Sequence, residues 1–194
     1  MLEGMARWAP DTRERLRVAA LELFEERGFS ATTVPDIVER AGVTRRTFFR
    51  HFSDKREVFF GDDEIPARAT AMLAAAPADA AVFPVAWAGL RTLAAERFEP
   101  RRDQMAASRS IIEAEPSLRE RDLQKQADLR EAIRAGCAAR GGDPLTSRVV
   151  AGLTVDLLQI ALERWLADED RMPLTRHLDE VRQRMSDLLG DIPS

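Results

Sequence analysis

The sequence predicts an all-α protein: an N-terminal three-helix unit of helix-turn-helix type, then a larger helical domain, with about nine helices in total. Three observations carry this. Apolar residues recur at spacings of three and four throughout, and nothing alternates with period two over a useful length. Helix caps and stops (Thr, Asp, Gly, Pro) fall between the periodic segments. A chain of 194 residues, 45% hydrophobic and 32% charged, is long enough for one large domain or two small ones with a real core.

Met1 to Pro10 reads as a flexible N-terminus without an apolar h-region. The first helix carries Leu16, Ala20, Leu23 and Phe24 on one face; Asp11 or Thr12 caps it, Gly28 ends it in the left-handed conformation, and Phe29 packs beyond the stop. A second, shorter helix starts at Thr33, where Thr33-x-x-Asp36 resembles a capping box, and buries Val34, Ile37, Val38 and Ala41 before Gly42 breaks it. Thr44 caps a third helix that runs to about His51, with Phe48 and Phe52 on its buried side. Ser53 or Asp54 begins a fourth, which Gly61 and the Ile65-Pro66 step break or kink. Longer helices follow at about 79–97, 100–114, 116–140, 144–167 and 173–189, divided by Pro100, Pro116, Gly141-Gly142 and Pro173. Asp143-Pro144 is a strong start signal, whereas Pro84 means that the fifth helix either begins later than 79 or is bent.

Composition narrows the chemistry. One cysteine, Cys137, excludes an internal disulfide and a multi-cysteine zinc site, and two separated histidines, His51 and His177, argue against a metal enzyme, with an all-carboxylate site as the alternative; no cofactor is expected. Cys137 reads as a small packed residue, with an exposed redox thiol as the alternative. No Gly-x-Ser-x-Gly, phosphate-cradling Gly-rich loop or His beside Cys137 supplies a nucleophile and base, so no enzyme is expected. No stretch of 18 uncharged apolar residues occurs, and a cytoplasmic location is expected. The net charge of −4 argues at face value against nucleic-acid binding, but it hides a local patch. From Asp11 to Arg56 there are ten Lys and Arg against eight Asp and Glu, and from Val43 to Arg56 five against one.

Residues 33–52 have the spacing of a helix-turn-helix, whose second helix enters the major groove. The helix that starts at Thr44 hides Phe48 and Phe52 and leaves Thr44, Arg45, Arg46, Thr47, Phe49, Arg50 and His51 outside. Ala20, Leu23-Phe24, Gly28-Phe29, Thr32-Thr33-Val34, Ile37, Ala41-Gly42-Val43, Thr47-Phe48-Phe49-Arg50-His51-Phe52 and Lys55 give the chain a resemblance to the TetR family of bacterial transcriptional regulators over roughly 45 residues. The resemblance implies a DNA-binding domain over 11–56 and a regulatory and dimerisation domain over 57–194. Arg45, Arg46 and Thr47 would then read base edges, and Thr33, Thr44, His51 and Lys55 would contact phosphate. The family usually has Tyr where this chain has Phe49, so one phosphate-bonding hydroxyl is missing.

The resemblance also implies a small-molecule pocket in the middle helices. Met72, Phe83, Trp87, Arg91, Met105, Arg109, Ile112 and Gln126 are its candidates, with Glu113 a further polar anchor; core packing is the alternative reading of the apolar ones. Asp156 and Gln159 stand within an apolar helix and, if buried, need partners. A helix-turn-helix protein commonly pairs two copies on DNA, so a dimer interface is expected from Leu153, Leu157, Ile160 and Trp165 of the penultimate helix and Leu174, Leu178, Val181, Met185 and Leu188 of the last. The function implied is a ligand-responsive repressor: a homodimer that binds a palindromic or pseudopalindromic operator in double-stranded DNA and is released by an unidentified small molecule, with no membrane partner. An activator or ligand-independent regulator of the same fold, and a helical adaptor without DNA binding, remain the alternatives.

Overall fold

A computed structural model describes residues 11–60 and 64–190, and every regular element among them is helical. The expected flexible N-terminus and the Gly61 break lie outside the described residues. The chain divides into two compact units, Met1–Asp62 with Ala107–Asp122, and Asp63–Ala106 with Leu123–Ser194.

In the first unit, α1 (Thr12–Arg27), α2 (Val34–Ala41), α3 (Arg45–His51) and the single turn α4 (Glu57–Phe60) enclose Leu16, Leu23, Phe24, Ile37, Phe48 and Val58. Aromatic rings fill its centre: Phe24 stacks on Phe59 at 4.9 Å and meets Phe29 at 5.1 Å. Gly28 stops α1 with φ +83° and ψ 157°, a positive φ but not the left-handed helical well that was expected. Ala107–Asp122 adds the end of α7 (Arg102–Ala114) and the start of α8 (Pro116–Ala139) to this unit. There Arg121 Nε donates to the Glu57 carboxylate at 2.5 Å, which offsets the cost of burying Glu57 to 6% exposure.

The second unit holds α5 (Glu64–Ala75), α6 (Val82–Leu93), the rest of α7 and α8, α9 (Pro144–Ala167) and α10 (Leu174–Gly190). Starting α6 at Val82 places Pro84 in the first turn, where a missing N–H costs nothing, so the helix begins later than 79. Pro66 is tolerated in the first turn of α5 for the same reason. Pro100 does not divide helices with a loop. A π-turn over Ala94–Phe98 and a 3-10 turn over Glu99–Arg101 keep the chain wound from α6 into α7. Asp143 caps α9 through bonds of 3.0 Å from the Leu145 and Thr146 N–H groups, with Pro144 at the first position as expected. By length and a mean hydropathy of 1.4 over 18 residues α9 passes for a membrane span, yet half of that window is buried here, under α6 and α10. Asp156 is exposed and bonded by Arg130 at 2.9 Å, so it needs no buried partner.

Two arginines close helix ends that sequence periodicity does not reach. Arg140 donates to the carbonyls of Leu73 in the last turn of α5 and of Ala76, Pro77 and Ala80 beyond it, and Arg102 to those of Trp165 and Asp168 at the end of α9. Cys137 is fully buried, and burial pushes its thiol above the ordinary cysteine range, which makes it a packed residue and no reactive thiol. Beside it, α5 and α8 touch where Gly136 has no side chain: a Cβ there would lie 2.6 Å from Leu73 Cδ1 and 3.2 Å from Leu73 Cβ. Gly136→Ala is therefore expected to cost up to about 2 kcal/mol of stability: overpacking of about 1–3 kcal/mol, less the roughly 1 kcal/mol that alanine gains over glycine within a helix. Thermal denaturation checks it, and the penalty should shrink in a Leu73→Ala background.

Candidate functional site

The site is built from two caps and one turn. Thr33 and Asp36 form the capping box: the Thr33 N–H donates to Asp36 Oδ2 at 2.8 Å, and the Asp36 N–H returns to Thr33 Oγ1 at 3.4 Å. Hydrogen bonds from the Thr33 hydroxyl and N–H hold the Asp36 carboxyl below its ordinary range. Gly42 takes φ +65° and ψ 40°, the left-handed well that lets the chain reverse, and Arg15 of α1 donates to the neighbouring Ala41 carbonyl at 2.6 Å. After the turn Thr44 caps α3, accepting from the Thr47 N–H at 3.2 Å.

α3 is anchored by Phe48, which is 0% exposed, and by Phe52 beyond its end, with ring centroids 5.4 Å apart. At 100° per residue, Arg46 and Arg50 then stand opposite Phe48, with Arg45 and Phe49 on one flank and Thr47 and His51 on the other. Accessibility agrees: Arg45, Arg46, Phe49 and Arg50 are exposed, and Thr47 and His51 half-buried. Arg50 Nη2 lies 3.3 Å from His51 Nε2, and Arg13 of α1 donates to the His51 carbonyl at 3.2 Å.

Charge pairing separates these cations from the others in the unit. Arg17 pairs with Glu14, Arg40 with Glu22 and Glu26, and Arg56 with Asp54. Arg45 and Arg46 make no hydrogen bond or ion pair among the described residues. Two unneutralised guanidinium groups thus project from the first turn of a helix whose N-terminal dipole also favours an anion. Lys55, expected at phosphate from the resemblance, also serves the fold. Its Nζ donates to the carbonyls of Phe29 at 2.7 Å and Thr32 at 2.8 Å and sits 4.2 Å from the Phe29 ring, and burial pulls its pKa down. Two of its three donors hold the α1–α2 connection. Arg13 and Arg15 carry no sequence signal for their roles, because their acceptors are backbone carbonyls brought near only by the fold.

The residues named for a pocket are shared between the two units. Arg109 and Ile112 fall in the first unit, Arg109 bonded to Glu113 at 2.5 Å and Ile112 against that unit's core. Met72, Phe83, Trp87, Arg91, Met105 and Gln126 fall in the second. There Trp87 is buried against Phe83, Met105 packs on the core, and Arg91 pairs with Asp179 and donates to the Thr175 carbonyl at 3.2 Å. Of this set Met72 lines a small cavity in the unit, which α5, α6 and α8 close with Leu73, Val85, Leu90, Leu129 and Ile133 among its walls. Its volume is about 10 Å³, the room of a single water.

The residues named for an interface divide as well. Leu157, Trp165, Leu174, Leu178 and Val181 are at most 8% exposed in the subunit's own core, where the α10 stripe is taken up by packing on α9; Met185 is half-buried on the same core. Leu153, Ile160 and Leu188 stay exposed. Leu145 and Val149, which sequence reading did not single out for the interface, are exposed on the same side of α9 as Leu153 and Ile160.

Comparison with known proteins identifies the family. Residues 16–60 match the family described as bacterial regulatory proteins, tetR family, and residues 85–190 match the MftR C-terminal domain, more than half of the chain. The HTH-type transcriptional regulator TcmR of Streptomyces glaucescens is 53% identical over 47 residues, 24% of this chain and 21% of that protein, so the match spans about a fifth of the relative. The transcriptional regulator MftR of Mycobacterium tuberculosis is 29% identical over 163 residues, 81% of each chain. In fold, the chain is similar to the Thermus thermophilus repressor FadR solved with lauroyl-CoA, with a TM-score of 0.56 at 22% identity over 94% of this chain and 96% of that one.

Proposed function

The chain belongs to the TetR family of bacterial transcriptional regulators, and from that footing we propose that it is a cytoplasmic, ligand-responsive repressor that binds a palindromic operator as a homodimer. The observation that carries the DNA reading is the pair Arg45 and Arg46, exposed and uncompensated at the start of α3. Thr44, Thr47, Arg50 and His51 share that face, Thr33 stands exposed at the start of α2, and Lys55 keeps one donor for phosphate after serving the fold. The exposed apolar line on α9 supports pairing of two copies, which a palindromic site requires. The ligand reading draws support from a relative in fold that was solved with lauroyl-CoA. In this reading the effector binds the DNA-incompetent state more tightly, since equal affinity shifts nothing.

A second reading, a regulator of the same fold that needs no ligand, is favoured by one observation: the cavity among α5, α6 and α8 has room for about one water. Selection of a binding site from random duplex DNA, followed by a metabolite panel scored for both thermal stabilisation and release from that site, tests both. A compound that does both supports the effector reading. One that stabilises the protein without changing operator affinity contradicts the coupling, and a panel that does neither favours the ligand-independent regulator.

A further inference from the structure

We propose that Phe49 is a specificity-determining residue that packs on the 5-methyl group of a thymine in the major groove, fixing one T·A pair in each half of the operator. The proposal rests on the operator reading above. Among the described residues Phe49 is the only aromatic side chain left exposed, at 51%, and it takes no part in the core of its unit. Its ring is nevertheless held in place. Phe48 meets it edge-on at 5.4 Å with an interplanar angle of 83°, and Phe48 is itself immobilised at 0% exposure. Beyond that edge contact the ring stands half in water among arginines, on a face that is otherwise polar.

The position selects the partner. Phe49 stands one helical turn beyond Arg45 on the same flank of α3 and beside Arg46, so when those arginines reach base edges the ring lies against the same groove wall. A phenyl group has no donor for phosphate. In the major groove the apolar feature that distinguishes one base pair from the others is the thymine methyl. Restricting the ring in advance also lowers what is lost on binding.

Deoxyuridine tests this directly, since it pairs as thymidine does and lacks only the methyl. A site is selected from random duplexes with the wild-type protein, and each thymine in it is then replaced singly by deoxyuridine. For one thymine per half-site the wild type is expected to lose about fourfold in affinity, the worth of one buried methyl group. The Phe49→Ala variant should bind the thymine and deoxyuridine duplexes equally and stay folded, its melting temperature lowered by only a few degrees because the edge contact with Phe48 is all that the fold loses. If no single replacement weakens the wild type, or if Phe49→Ala retains the same deoxyuridine penalty, the thymine contact is overturned. A loss in Phe49→Ala alone, equal on both duplexes and with no wild-type penalty, overturns it in favour of packing on deoxyribose. A wild-type protein that enriches no sequence overturns the operator reading, and this contact with it.

Discussion

Replacing Arg45 and Arg46 together by alanine is expected to lower affinity for the selected operator by at least about 10³-fold, down to the non-specific level, while leaving the melting temperature in place. Each arginine that holds a guanine edge through two bonds discriminates by about 1–3 kcal/mol, and the proposed homodimer loses four such contacts together. The fold does not feel the change, because neither guanidinium holds a carbonyl or carboxylate within the described residues. The lysine variants separate two modes of action. Arg45→Lys and Arg46→Lys keep the charge but lose the planar fork. If the arginines read bases, the lysine variants keep non-specific binding, with its steep salt dependence, and lose the preference for the operator. If they only touch phosphate, lysine restores both. Fluorescence anisotropy on operator and scrambled duplexes at two salt concentrations decides the matter.

The parts of this molecule that were legible in the sequence are those encoded within a few residues. Thr33 and Asp36 cap α2, Gly42 turns the chain in the left-handed well and Thr44 caps α3, and each of these depends on partners no more than five residues away. The outward set on α3 follows from the same locality, since Phe48 and Phe52 fix which side faces in. Lys55 was legible as a charge but not as a clamp: its acceptors, the carbonyls of Phe29 and Thr32, lie 26 and 23 residues back and come within reach only when α4 packs on α1. The pocket candidates meet a related limit. Apolar spacing along α7 and α8 says that a face is covered and not by what, and Ala107–Asp122, with Arg109 and Ile112, belongs to the first compact unit while Met72 and Trp87 belong to the second. The stripe on α10 shows the same ambiguity, because Leu174, Leu178 and Val181 satisfy their periodicity inside one subunit. What distinguishes an interface from a core is the residue left over after the fold has closed.

Those residues set the second large effect. Leu145, Val149, Leu153 and Ile160 fall at steps of four, four and seven along α9, which keeps them within a quarter of the helix circumference, and all four are exposed, from 36% at Leu153 to 71% at Leu145. Gly152 lies on the same side with nothing within 4 Å of where its side chain would be, so another helix can approach closely there. Asp156, in the middle of the line, is bonded by Arg130, which lowers the repulsion between two copies related by a two-fold axis. Ile160→Glu is expected to turn the proposed homodimer into a monomer at low micromolar concentration, because an isologous interface places the change in both copies and strips two carboxylates of water at once. The subunit keeps its fold, since Ile160 is already 47% exposed. Operator affinity falls at least ~10³-fold, as one recognition helix holds only one half-site and the second is no longer tethered to it. Sedimentation velocity gives the mass, melting temperature guards against unfolding, and anisotropy with full-site and half-site duplexes reads the binding. A variant that sediments as the wild type and binds the full site equally well removes α9 from the interface. One that is monomeric yet keeps full-site affinity shows instead that DNA, and no protein contact, brings the two copies together.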